Sequence, residues 1–147
     1  MKKVQLITDG ACIGNPGHGG WGAILRYGNH AREMFGWHPH TTNNRMELTA
    51  AIEGLRAIKE PCEVQVITDS EYLKNGITRW IHAWKRKNWM KSDKEPVRNA
   101  DLWRELDEEA SRHKTNWVWT RGHASHRDNL RADELATMAA REHRGSG

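Results

Sequence analysis

Two cysteines in 147 residues, Cys12 and Cys62, are too few and too widely spaced for a disulfide framework or a paired-cysteine metal site. Both are read as free thiols. No apolar run approaches the ~20 residues that span a bilayer. Met1-Lys2-Lys3 leads directly into a strand-like run, with no secretory apolar region. A cytoplasmic protein is the expectation. Repeats and low-complexity tracts are also absent, and the length suits one domain over residues 1–147, with about 143–147 as a disordered tail. Finally, no Gly-Lys-Ser/Thr follows the glycine-rich stretch at 10–22, and that stretch leads into another strand-like run and not into a helix. A phosphate-cradling loop is therefore disfavoured, and Asn15-Pro16-Gly17 is read as a hairpin turn.

What is present centres on Lys3-Val4-Gln5-Leu6-Ile7-Thr8-Asp9-Gly10, a β-rich run too short for a helix with a buried face. It is read as a core strand delivering Asp9 to the sheet end. Glu63-Val64-Gln65-Val66-Ile67-Thr68-Asp69-Ser70 repeats the pattern, which suggests neighbouring strands presenting Asp9 and Asp69 together. Two such acids ask for a cation. Further strands are expected at 21–27, 31–37 and 116–120. Leu48, Ala51, Ile52, Leu55 and Ile58 fall at helical spacing, so a helix is expected after the polar stretch 41–45, stopped by Pro61. Glu47 falls in its first turn, where an acid is either a partner of the helix N-terminus or a third metal carboxylate. Ser70 is a cap candidate for a helix running toward Trp80, and Asp69 itself has capping as its alternative role. Helices over about 101–113 and at the C-terminus complete the reading, the last with Ala132, Leu135, Ala136 and Ala139 as its apolar stripe and Asp133 near its start.

Positive charge is concentrated. Residues 79–98 hold seven Lys or Arg and two acids, a net of +5 against +4 for the whole chain. Trp80, Trp84 and Trp89, three of the eight tryptophans, are interleaved with them. Cations for phosphates beside flat rings for sugars or bases suit a nucleic-acid backbone, with Lys85, Arg86, Lys87 and Lys91 as the leading contacts. The alternative is a helix whose tryptophans anchor it while its lysines are solvated. His123 and His126 follow the last strand in a polar loop. No other ligands at zinc spacing accompany them, so proton handling is the role considered for His123.

Five motifs in fixed order complete the picture: Thr8-Asp9-Gly10-x-Cys12-x-Gly14-Asn15-Pro16-Gly17, Thr42-Asn43-Asn44-Arg45-Met46-Glu47-Leu48, Thr68-Asp69-Ser70, Gly122-His123-Ala124 and Ala132-Asp133-Glu134-Leu135-Ala136. Their order and spacing resemble those of type I ribonuclease H of the bacterial kind, over nearly the whole chain. The resemblance implies an α/β, ribonuclease H-like fold, a five-stranded mixed sheet flanked by helices on both faces. It also implies a monomeric endonuclease cleaving the RNA strand of RNA–DNA hybrids to 5′-phosphate and 3′-hydroxyl ends, using two Mg²⁺ ions with Mn²⁺ as a substitute. By the same likeness, Asp9, Glu47, Asp69 and Asp133 are the metal carboxylates and His123 the catalytic histidine. Cys12, Asn15, Asn43, Asn44 and Glu71 match positions facing the RNA strand. Thr42, Arg45, Asn99, Trp80 and Ser92 match the DNA-strand phosphate pocket and channel. The chain departs from the common bacterial pattern at Glu71, Asn88 and Ser125. A catalytically silent binding module has no use for four acids at these positions. Other nucleases of the same fold would also carry them.

Overall fold

Apolar and polar side chains alternate along β1 (Lys3–Ile13) and β4 (Glu63–Thr68), and this alternation decides which face of the sheet each residue covers. The computed structural model describes residues 1–91, 93–120 and 127–146. With β2 (Gly17–Tyr27), β3 (His30–Thr41) and β5 (Lys114–Trp119), these strands form a five-stranded sheet in the order β3-β2-β1-β4-β5. The first three form an antiparallel meander, while β4 runs parallel to β1 and β5 parallel to β4. This is the mixed sheet anticipated from the sequence.

Helices cover both faces. Val4, Leu6, Val64 and Val66 pack beneath Leu48, Ile52 and Leu55 of α1 (Asn43–Arg56), in one cluster with Trp103 and Leu106 of a later helix (Ala100–Ser111). On the opposite face Ile7, Ile24 and Ile67 meet Ala132 and Leu135 of the C-terminal helix (Arg127–Glu142). Full burial of each such Leu or Ile contributes about 1.5–3 kcal/mol, so the sheet is a firm platform for groups at its edge. Two short helices, α2 (Glu71–Asn75) and α3 (Ile81–Arg86), are joined by one π-helical turn at Gly76–Trp80. In chain order the Ala100–Ser111 helix is α4 and the Arg127–Glu142 helix α5. Ser70 caps α2 by accepting from Leu73 N at 3.0 Å, as its sequence position suggested.

Several elements differ from expectation for identifiable reasons. β1 continues past Asp9 because it pairs with β2 as far as Ile13↔His18, so Asp9 marks where β4 stops and not where β1 ends. β3 extends beyond Trp37 to Thr41, crossing Pro39. An edge strand tolerates that proline, and the β2–β3 register shifts at that point. α1 begins at Asn43, with the Thr42 hydroxyl accepting from Arg45 N at 3.2 Å, which moves Glu47 out of the first turn and removes the helix-end explanation for its charge. The helix also stops at Arg56, ahead of Pro61. Past α3 the chain turns through Asn88 and Trp89, both at positive φ (53° and 63°), a conformation asparagine adopts more readily than most residues. The last described residues, expected as a disordered tail, lie along β3. Ser146 N donates to Phe35 O at 2.8 Å, and His143 stacks between His18 and Trp37.

Candidate active site

Parallel pairing holds β1 and β4 in register from Lys3↔Glu63 to Ile7↔Ile67, so Asp9 and Asp69, two residues beyond, emerge as neighbours. Glu47 reaches them from α1. The helix approaches because Gly10 has no side chain: a Cβ there would lie 2.6 Å from Glu47 N. One carboxylate oxygen from each of Asp9, Glu47 and Asp69 lies within 4.8 Å of the other two. Asp133 of α5 stands outside this trio but lines the same cavity of about 360 Å³, as do Asn43, Asn44, Ser70, Glu71 and Tyr72. A roomier cavity of about 550 Å³ lies elsewhere, between Lys3, Gln5, Arg26, Glu63, Gln65 and Asn116. Its lining mixes both charges, and it lacks the convergence of like groups that sets the acidic cavity apart.

Asp9 and Glu47 are buried and Asp69 is half-buried. Burial first, then the charges of Asp9 and Asp69, push the Glu47 carboxyl well above its usual 4.5. Its Oε1 is buried with no hydrogen-bond partner among the described residues. A buried acid oxygen without a donor, packed against other acids, is the arrangement a divalent cation relieves. An all-carboxylate donor set suits hard ions such as Mg²⁺ and Mn²⁺ better than zinc. The residues present therefore fit a metal. Backbone contacts hold the acids in place: Gly10 N donates to Asp9 Oδ1 at 2.9 Å, and the Trp119 indole donates to Asp69 O at 3.2 Å. His123 and Ser92 lie outside the described residues.

Around the acids the other sequence candidates fall into groups. Asn15 Oδ1 accepts from Asn43 N at 3.0 Å, tying the first hairpin, which also carries Cys12, to the start of α1 beside the cavity. Arg45 donates to Asn99 Oδ1 at 3.1 Å, linking α1 to the residue preceding α4. Trp80, Trp84 and Trp89 form a chain of ring contacts, and Trp84 meets the fully buried Trp103 at 5.4 Å between centroids. The rings thus anchor the basic segment, in line with the alternative reading, and leave Trp80 the most exposed of the three. Lys85 pairs with Asp107 at 3.2 Å, while Arg86 and Lys87 are exposed. Tyr72 and Asp101 carry no functional signal in the sequence. Tyr72 reads there as an apolar helix position and Asp101 as a helix-start acid, because their partners stand up to 56 residues away.

A mixed sheet sandwiched between helices, with an acidic pocket where its central parallel strands end, defines the class: an α/β protein with a carboxylate cluster of a composition that fits a metal. A family model described as RNase H matches residues 1–141. Ribonuclease H of Solibacter usitatus is 66% identical over 142 residues, covering 97% of each chain. Ribonuclease HI of Neisseria meningitidis serogroup B is 56% identical over 139 residues, covering 95% of this chain and 96% of that one. Among solved structures, LC9-RNase H1, described as a type 1 RNase H with the type 2 active-site motif, superposes with a TM-score of 0.90 at 34% identity over 99% of this chain and 75% of the other. The chain belongs to the ribonuclease H family, as a type I enzyme that hydrolyses nucleic acid. Membership carries metal dependence and cleavage of the RNA strand of RNA–DNA hybrids.

Proposed function

We propose that the protein hydrolyses RNA within RNA–DNA hybrids by two-metal-ion catalysis with Mg²⁺, leaving 5′-phosphate and 3′-hydroxyl ends. The observation that carries this reading is the trio of acids within 4.8 Å, sharing its cavity with Asp133. These four carboxylates would hold the ions. When bound, Mg²⁺ supplies neutralisation of the phosphate charge, a hydroxide-like nucleophile near neutral pH and stabilisation of the departing 3′-oxygen. Asn43, Asn44 and Glu71, which line the cavity, take the RNA side with Asn15 and Cys12, where 2′-hydroxyls distinguish RNA from DNA. Thr42, Arg45, Asn99 and Trp80 take the DNA-strand backbone, and the exposed cations of the segment bearing Trp84, Lys85, Arg86, Lys87, Lys91 and Ser92 follow its phosphates. His123 handles protons. The same reading takes the protein to act as a monomer.

The test is cleavage of a labelled hybrid, with RNA duplex and DNA duplex as controls, with Mg²⁺, with Mn²⁺ and after chelation. Cleavage confined to the RNA of the hybrid, lost on chelation and in Asp69→Asn, is expected, with 5′-phosphate on the downstream product. Cyclic phosphate ends or chelator-resistant activity would overturn the mechanism.

A further inference from the structure

The guanidinium of Arg45 has a partner outside the groups assigned above. Its Nη1 and Nη2 donate to Asp101 Oδ1 and Oδ2 at 3.1 and 2.8 Å, and Nη1 donates also to Asn99 Oδ1 at 3.1 Å. A guanidinium has five N–H groups in a fixed plane. Three are used here, and all lie on Nη1 or the end edge. The remaining Nε–H and Nη2–H form the side edge, have no partner among the described residues and point parallel, as two oxygens of a phosphodiester require.

The anchor is itself anchored. Asn99 stands at φ 62° as the N-cap residue of α4, yet its side chain makes no cap bond. Instead its Nδ2 donates to Tyr72 Oη at 3.0 Å, and Tyr72 Oη also accepts from the indole of the fully buried Trp103 at 3.0 Å. Arg45 is thus tied on one side to the core and on the other to an acid whose side chain is 65% exposed.

We propose that Asp101 is a positioning residue for hybrid binding, fixing the Arg45 guanidinium so that its Nε–Nη2 edge meets a phosphate of the DNA strand. This rests on the reading above in which Arg45 contacts that strand. It also makes a claim about sign. By charge alone an exposed acid beside a phosphate site repels the substrate, and removing it lowers KM. By positioning, removing it frees a long side chain that must then be ordered on binding, which raises KM by roughly 3- to 10-fold.

Steady-state kinetics on an RNA–DNA hybrid would compare the parent with Asp101→Ala, Asp101→Glu and Arg45→Ala, with thermal melts confirming the fold and calorimetry measuring Mg²⁺ affinity. Asp101→Ala is expected to raise KM with kcat and Mg²⁺ affinity unchanged, and Asp101→Glu to recover part of the loss. Hybrids with single uncharged methylphosphonate linkages along the DNA strand supply a second readout. One linkage should stand out in the parent and lose its effect in Asp101→Ala as it does in Arg45→Ala. If Arg45→Ala raises KM while Asp101→Ala leaves it unchanged or lower, the role of Asp101 is overturned alone. An unchanged KM in Arg45→Ala overturns it together with the DNA-strand contact.

Discussion

Glu47 concentrates the electrostatic tension of the site. Its carboxyl is shifted upward, so the stabilisation from its neutral form is complete below its ordinary 4.5 and is lost as pH rises through the shifted value. Without divalent ions, Glu47→Gln should therefore melt higher than the parent, by a margin that widens from pH 4.5 toward 7.5. Mg²⁺ should narrow the gap by stabilising the parent more than the variant. Parallel melting curves across that range would show that the Glu47 carboxyl carries no such strain, and an Mg²⁺ effect equal in both proteins would remove it from the cation site. Glu71, exposed on the first turn of α2 and lining the same cavity, poses a different question. A carboxylate there only accepts hydrogen bonds and adds negative charge where phosphates approach, whereas an amide also donates. Glu71→Gln should lower KM for the hybrid, most visibly at low salt, at a cost of about 0.3–1 kcal/mol from the weaker helix-end interaction. A stability loss with KM unchanged would reduce Glu71 to a helix-end residue.

The junction of α4 and β5 depends on His113. Its Nδ1 accepts from Cys62 N at 3.1 Å, which places the ring proton on Nε2, 3.4 Å from Leu55 O. Burial lowers its pKa below the ordinary 6.5. For a depressed histidine the stabilisation is present above 6.5 and is lost as pH falls through the folded value, because protonating Nδ1 breaks the bond to Cys62. The urea midpoint of the parent relative to His113→Asn should hold steady from pH 7.5 to about 6.5 and then fall. At pH 7 that variant should be less stable by about 0.5–1.5 kcal/mol. An equal acid slope in both proteins would assign the decline to other groups. Elsewhere α1 and α4 are joined by Arg56, which bonds Glu53, Glu105 and Glu109 at 3.0, 2.8 and 3.1 Å. Its partial exposure limits each pair to no more than about 1 kcal/mol.

Across the molecule, charge is divided between an acidic pocket and a basic segment, the first suited to cations and the second to phosphates. Within that segment the lysines are not equivalent. Lys85 is engaged by Asp107, whereas Arg86 and Lys87 face solvent with no ion pair among the described residues. Neutralising Arg86, Lys87 and Lys91 together should raise KM with little change in kcat. It should also flatten the log–log salt dependence by roughly 0.7–0.9 for each phosphate that is no longer neutralised. Neutralising Lys85 alone should do less. A salt slope identical to the parent's would show that these cations are only solvated.

Much of this architecture is written in local pattern. Alternation along Lys3–Ile13 and Glu63–Thr68, the helical spacing of Leu48, Ile52 and Leu55, and the cap at Ser70 are short-range features that hydrophobic burial and backbone hydrogen bonding translate directly into elements. Asp9 and Asp69 stood out because each closes one of two matching apolar runs, whereas Glu47 and Asp133 were singled out as metal carboxylates through the resemblance of their motifs to the family. What required the folded chain was everything set by contacts distant in sequence. The matching runs already suggested Asp9 beside Asp69, but that a missing side chain at Gly10 lets Glu47 approach them appeared only in the packed helix. Pairing with β2 carried β1 past Asp9, and a core tryptophan, through Tyr72 and Asn99, placed the guanidinium that Asp101 holds. Periodicity records which face a residue buries. It does not record which residue, 50 or more positions away, will stand opposite, because sheet pairing and helix docking settle that only when the whole chain packs.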